Sequence, residues 1–301
     1  MVTSLGWIGR ASVVLLIVCV GAVYARGLAM QHADEKPSQL QIASFLLGLL
    51  LLLIALTSRL EDLVSQFFTA RAFQQLLITE PIPFLLMAAN PYPVLKVGAG
   101  RGGRILIDWL KASGGWRHNL AAVTRPGFVW AMFVMLFWFW HDESMIAASN
   151  QYGLVHALEV VSLFGFATLY WWHIAAVAPY LHTPLSSNVR IFYAFLGILP
   201  IKLTGIVMLF GLETVVGGYR TDYAGEVMLQ WGDGLQFSDN SAGAILIWVI
   251  GGIMYALAVT TLGGRALSIE EAKPELPQNP LLDDSLWAPP GIGAGAKNRL
   301  N

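Results

Sequence analysis

Apolar runs long enough to cross a bilayer alternate with short polar stretches along the whole chain, and they set the expected elements before any motif is considered. A spanning helix needs about 20 apolar residues to match a hydrocarbon core of about 30 Å. Seven segments meet that pattern, at about 8–27, 38–58, 71–93, 125–141, 154–178, 191–213 and 241–264. Residues 37–58 and 241–264 contain no Asp, Glu, Lys or Arg, which makes them the clearest spans. The first run is the weakest, because Arg10 and Arg26 bracket it closely and must reach outward along their stems. The expected fold is an all-α integral membrane bundle of seven transmembrane helices over residues 1–266. Residues 267–301, with five Pro and a Gly/Ala-rich end, carry too few apolar positions for a core and are expected to form a disordered tail.

The polar stretches orient the bundle. With the N-terminus outside, thirteen of the 18 Lys and Arg fall on the inner side, nine of them between Lys96 and Arg125 or in the tail. Only Arg10, Arg59, Arg71 and Arg220 fall outside, and Lys202 lies within a span. Positive charge favours the cytoplasmic side, so the N-terminus is expected outside and the C-terminus in the cytoplasm. Val23-Tyr24-Ala25 resembles the end of a cleavable signal. Cleavage would invert the distribution and export the basic loop 96–125, so the first run is expected to stay as a span. Within that loop Arg104, Asp108 and Lys111 recur at helical spacing around Ile105, Leu106, Trp109 and Leu110, the pattern of a short helix on the inner membrane surface. Gly98-Ala-Gly-Arg-Gly-Gly103 has the letters of a dinucleotide loop but follows a membrane span instead of a strand, so a flexible linker is expected there.

Composition agrees with a membrane protein. The chain has 301 residues, 56% hydrophobic and 12% charged, against about 25% charged in a soluble domain; its mean hydropathy is +0.60. A net charge of -1 excludes a broad nucleic-acid-binding surface. The single cysteine, Cys19, excludes disulfide frameworks, thiolate zinc sites and iron–sulfur clusters. His156 and His173 lie 17 residues apart, about 100° off a common helix face, which does not suit haem held across a bundle. No GxSxG serine and no repeated HxxxH box is present, so no catalytic constellation is evident. The expected role is non-enzymatic. Trp138, Phe139, Trp140 and Tyr170, Trp171, Trp172 are expected to anchor the bundle at the interfaces.

Ionisable residues within apolar spans cost about 2.5–3.5 kcal/mol each on insertion scales, so each calls for a partner or a task. Glu80 and Lys202 both fall near mid-membrane and are expected to form a direct ion pair joining the third and sixth spans. The alternative readings are an ion or proton relay, and a neutral Glu80 with Lys202 paired elsewhere. His156 and Glu159 are one helical turn apart, and His141 closes the preceding span on the same outer side. Such a set suits copper or zinc, or else a buried histidine held by a carboxylate.

At these residues a family resemblance enters. The segment Leu46–Leu86, LLGLLLLLIALTSRLEDLVSQFFTARAFQQLLITEPIPFLL, resembles the second and third spans of the CtaG family of cytochrome c oxidase assembly factors. A second stretch, Pro126–Pro200, carries FWFWHDES, LVHALEVVSLFGF, YWWHI and FLGILP in that family's order and spacing, and together the matches extend over about residues 40–265. The resemblance implies a seven-span protein of the bacterial cell membrane that helps a haem–copper oxidase mature, with copper handling through His141, His156 and Glu159. The partners implied are oxidase subunits or another respiratory complex. Arg71 and Gln75 stand where the family has two motif histidines, while Gln74 matches, and Val160 replaces a further histidine. A guanidinium does not bind copper and an amide binds it poorly, so these departures favour a metal-free accessory or scaffold subunit as the second reading. A transporter or proton channel through Glu80 and Lys202 is a third, disfavoured by the absence of an internal repeat and of a broken helix to match the one at Pro81 and Pro83.

Overall fold

A computed structural model describes residues 6–103, 105, 114–210, 228–231 and 235–272. The chain divides into two compact units, Met1–Leu262 and Gly263–Asn301, and the core and candidate site belong to the first. Helix α1 (Trp7–Met30) is followed by α2 (Gln39–Thr57), α3 (Arg59–Leu63), α4 (Phe68–Thr79), α5 (Pro81–Ala88), α6 (Tyr92–Gly98) and α7 (Gly114–Val123). Then come α8 (Pro126–Phe139), α9 (Glu143–Gln151), α10 (Gly153–Ala175) and α11 (Ser187–Phe210). After a two-stranded antiparallel hairpin, β1 (Met228–Trp231) and β2 (Leu235–Ser238), the chain ends in α12 (Asp239–Ile245), a π-helical turn Leu246–Ile250 and α13 (Ile253–Glu271). The hairpin is the one departure from the all-α expectation among the described residues.

Five helical stretches are long and apolar enough to cross a membrane: Trp7–Met30, Gln39–Leu63, Gly153–Ala175, Ser187–Phe210 and Asp239–Ser268. A sixth is obtained if Phe68–Ala88 and Tyr92–Gly98, bent by 70° from one another, count as one span. Pro126–Phe139, inside the expected fourth span, is apolar but shorter. The expected surface helix at Arg104–Lys111 and the tail beyond residue 272 lie outside the described residues. The last helix runs to Glu271, past the expected start of the tail.

Local signals account for the boundaries. Ser38 and Gln41 form a reciprocal capping box at the start of α2, the hydroxyl accepting the Gln41 N–H at 3.3 Å and the Gln41 amide oxygen accepting the Ser38 N–H at 2.9 Å. Prolines interrupt two helices and each frees a carbonyl that water cannot reach in a bilayer, so side chains supply the missing donor. Pro83 leaves Thr79 O without its usual N–H, and the Trp171 indole donates to it at 3.0 Å, with the Tyr255 hydroxyl at 3.4 Å. Pro200 leaves Leu196 O, which accepts from the Trp130 indole at 3.3 Å. Tyr170 and Trp171 are therefore core residues, buried to 0% and 1% exposure, and not interfacial anchors. Their rings stack on Phe133 (5.2 Å) and Tyr255 (4.5 Å). Trp138 and Phe139 are exposed as expected, whereas Trp140 is buried with its indole on Ser162 Oγ.

Helix α1 packs on α6 and α2, with Gly27 and Gly98 at the close approach. A Cβ on Gly27 would lie 2.1 Å from Val94 O, and one on Gly98 would lie 1.9 Å from Val23 O. The flexible-linker reading of residues 98–103 is thus corrected at its first position: Gly98 closes a helix and seats it against α1. Arg10 pairs with Asp62, so the start of α1 and the end of α2 lie at the same end of the bundle.

The last span carries the largest surprise. It was one of the two clearest spans by composition, yet it breaks at Gly251–Gly252, where Gly252 adopts φ +83°. The Glu80 carboxylate accepts the N–H groups of Gly252 (2.6 Å) and Met254 (3.3 Å), which start the second half. The Lys202 ammonium donates to Trp248 O and, at 3.1 Å, to Val249 O, which end the first half. The expected Glu80–Lys202 ion pair is not among the contacts within 4.0 Å that the described residues make. Each charge instead serves the opposite dipole end of one broken helix. The third span therefore does have a broken counterpart, contrary to expectation. Its exposed backbone groups are filled by this chain's own side chains.

Candidate functional site

Four helices converge on a buried polar cluster. Helix α3 carries Glu61, α4 carries Arg71, Gln74 and Gln75, α9 carries Ser149 and Asn150, and α10 carries His156 and Glu159. On α4 the positions 71, 74, 75 and 78 share one face at helical spacing, so its polar side chains point together into the bundle. Ser58 caps α3, its hydroxyl accepting the Leu60 N–H at 3.2 Å, and so turns Glu61 inward, where it is fully buried. Asp239 fixes the start of α4 from the other side by accepting the N–H groups of Phe68 and Thr69.

Arg71 and Glu159 form the centre. Nη1 lies 2.7 Å from each carboxylate oxygen, with side chains 1% and 2% exposed. Nη1 also reaches Ser149 Oγ at 3.3 Å, and Nη2 donates to Asn150 Oδ1 at 2.6 Å. Glu159 further accepts from the Gln75 amide (2.7 Å) and the Ser149 hydroxyl. His156 sits between two carboxylates, with Nδ1 3.3 Å from Glu159 and Nε2 3.0 Å from Glu61. It satisfies both as the imidazolium, which donates at each nitrogen. In that state two cations balance two carboxylates, as a low-dielectric interior requires. Glu61 also accepts from the Gln74 amide at 2.6 Å, and the same amide donates to Ala55 O at 2.8 Å near the end of α2. Backbone ends and ionic groups are thus held in one network.

Of the expected metal residues, the structure brings His156 and Glu159 together but does not link His141 to them by a hydrogen bond. His141 Nδ1 donates to Phe137 O at 2.6 Å, and its ring packs on Phe137 at 4.5 Å. Among the described residues its Nε2 is buried with no hydrogen-bond partner, as is Gln75 Oε1. The donor set does not fit copper: Arg71, Gln75 and Ser149 occupy the Glu159 oxygens, and carboxylates occupy both His156 nitrogens. Among the described residues no group of three or more His, Cys, Asp and Glu is arranged to hold a metal ion.

Sequence reasoning missed Glu61, Ser149 and Asn150. Glu61 reads as an ordinary first-turn acidic residue behind a serine cap, and Ser149 and Asn150 fall in what reads as a polar hairpin loop. Arg71 did carry a signal, since an arginine placed among apolar residues needs a carboxylate and Glu159 lies at the same end of the bundle.

A family model described as cytochrome c oxidase caa3 assembly factor (Caa3_CtaG) matches residues 22–268. No curated protein and no solved structure matched the chain.

Proposed function

From the premise that the chain belongs to the cytochrome c oxidase caa3 assembly factor family, we propose that it acts as a metal-free scaffold during maturation of the oxidase. The observation that carries this reading is the Arg71 guanidinium seated on both oxygens of Glu159, where a copper ligand would need a free lone pair. Arg71 brings a fixed positive charge to the centre of the cluster, so the four elements lock together without a metal. The role is non-catalytic and is exercised on oxidase subunits in the bacterial cell membrane. Seven spans follow if the bent third segment and the short helix Pro126–Phe139 each cross, with the N-terminus outside and loop 96–125 in the cytoplasm. Fusions of a cytoplasmic reporter to that loop and to the tail should both be active, and an external loop would overturn the topology.

Copper handling is the second reading, favoured by His141 Nε2 and Gln75 Oε1, which have no hydrogen-bond partner among the described residues. One experiment separates the two. Deletion of the protein should lower oxidase activity, and His141→Ala should restore it fully while the purified protein binds no stoichiometric copper. Normal oxidase in the deletion strain would remove the assembly role in this cell. Failure of His141→Ala to rescue, together with copper binding by the parent protein, would transfer the case to copper delivery.

A further inference from the structure

Lys202 lies sixteenth of 24 residues in α11, about 22 Å from one end and about 12 Å from the other at 1.5 Å per residue. It is well inside the hydrocarbon depth, yet its side chain is only partly buried. Its neighbours on the outside of the bundle are apolar and exposed: Leu199 and Leu203 on the same helix, Val249 and Ile250 before the break, Ile253 and Leu257 after it. The ammonium thus lies beside a lipid-facing surface together with the carbonyls of Trp248 and Val249.

Among the described residues, two of its three N–H donors have acceptors, and both acceptors are neutral. The nearby Glu80 is buried and turned to the amides of Gly252 and Met254. Intramembrane charges face a bundle interior or a partner, because a lipid-facing one has no acceptor for its remaining donor. The break cannot slide away from this face. Cβ atoms on Gly251 and Gly252 would lie 2.5 Å and 3.2 Å from Ile201 and Ile198, so the two elements are pressed together at the glycines.

We infer that this face, formed by α11 and the broken last span around Lys202, is a docking surface for a transmembrane helix of the client oxidase that carries a hydrogen-bond-accepting side chain at mid-depth. The inference rests on the assembly reading for the identity of the client. A second copy of this chain fits poorly: of the carboxylates within the described spans, Glu61, Glu80, Glu159 and Asp239 are buried and Asp62 is paired with Arg10.

The test places a photoreactive p-benzoylphenylalanine at Leu203 or Val249, beside Lys202, and at Leu15 on α1 as a control exposed elsewhere. Irradiation of native membranes should join positions 203 and 249 to an oxidase subunit, with no such adduct from position 15. Lys202→Met should lower the yield roughly five- to thirtyfold, the loss of one polar contact between membrane helices, whereas Lys202→Arg should retain it. If Lys202→Met fails to fold, the position-dependence in the parent protein decides alone. Adducts with a second copy of this chain, adducts with lipid only, or equal yields from position 15 would overturn the surface. Absence of an oxidase adduct in cells whose oxidase still depends on the protein would overturn the surface and leave the assembly reading standing. Normal oxidase in the deletion strain would instead remove that reading.

Discussion

Replacing Arg71 by methionine keeps a long apolar stem in place and deletes the charge at the centre of the cluster. Glu159 would keep the Gln75, Ser149 and His156 contacts but lose both 2.7 Å contacts from Nη1. Asn150 would lose its 2.6 Å donor. With charge centres about 4 Å apart and an effective dielectric constant near 20, the lost attraction is about 4 kcal/mol. That agrees with the roughly 3–5 kcal/mol seen when one partner of a buried pair is removed. Arg71→Met and Glu159→Gln should therefore each be strongly destabilising. The double variant should cost far less than their sum, because neither charge is then stranded. The assay is a double-mutant cycle on the purified protein in detergent, with unfolding followed by heat or by graded SDS. A coupling of about 2–3 kcal/mol is expected. Additive losses would refute the placement of these two residues as the mutual partners that hold α4, α9 and α10 together.

Three further outcomes follow from the broken and closely packed helices. Glu80→Ala should orphan the amides of Gly252 and Met254 at about 1–3 kcal/mol each, seen as a lower unfolding midpoint and faster hydrogen exchange at those two amides; unchanged exchange would argue against the clamp. Trp171→Phe should keep the ring stack but strip the donor from Thr79 O, costing about 1–3 kcal/mol less whatever Tyr255 recovers, and thermal unfolding would show it. Gly98→Leu should drive a side chain into Val23 O and cost at least the roughly 1–3 kcal/mol of an overpacked core. Disulfide trapping between cysteines placed on α1 and α6 should then fail, and trapping at the parent rate would count against the contact.

What the linear chain determines here is set by solvent. A bilayer demands about 20 apolar residues per crossing, and that demand is met or missed within a single segment, so the positions of the apolar helices are legible from residues 8–264 alone. The resemblance carried by Leu46–Leu86 and Pro126–Pro200 is likewise local, and the family match over residues 22–268 agrees with it. The need of Glu80, Lys202, His156 and Glu159 for partners was also legible, because charge inside an apolar run is costly wherever it finally packs. Which partners they find was not. Lys202 and Glu80 look like complements by sign and depth, but a third element, the break at Gly251–Gly252, offers both of them better geometry, with free N–H groups for the carboxylate and free carbonyls for the ammonium. Composition hid that break, since two glycines in an uncharged run read as continuous helix. Arg71 reads as a lost histidine in the motif, whereas the fold makes it the counter-ion of Glu159. The difference arises because span positions depend on each segment's own transfer from water, while partners inside the membrane depend on which polar groups three or four separate helices bring within about 3 Å of one another.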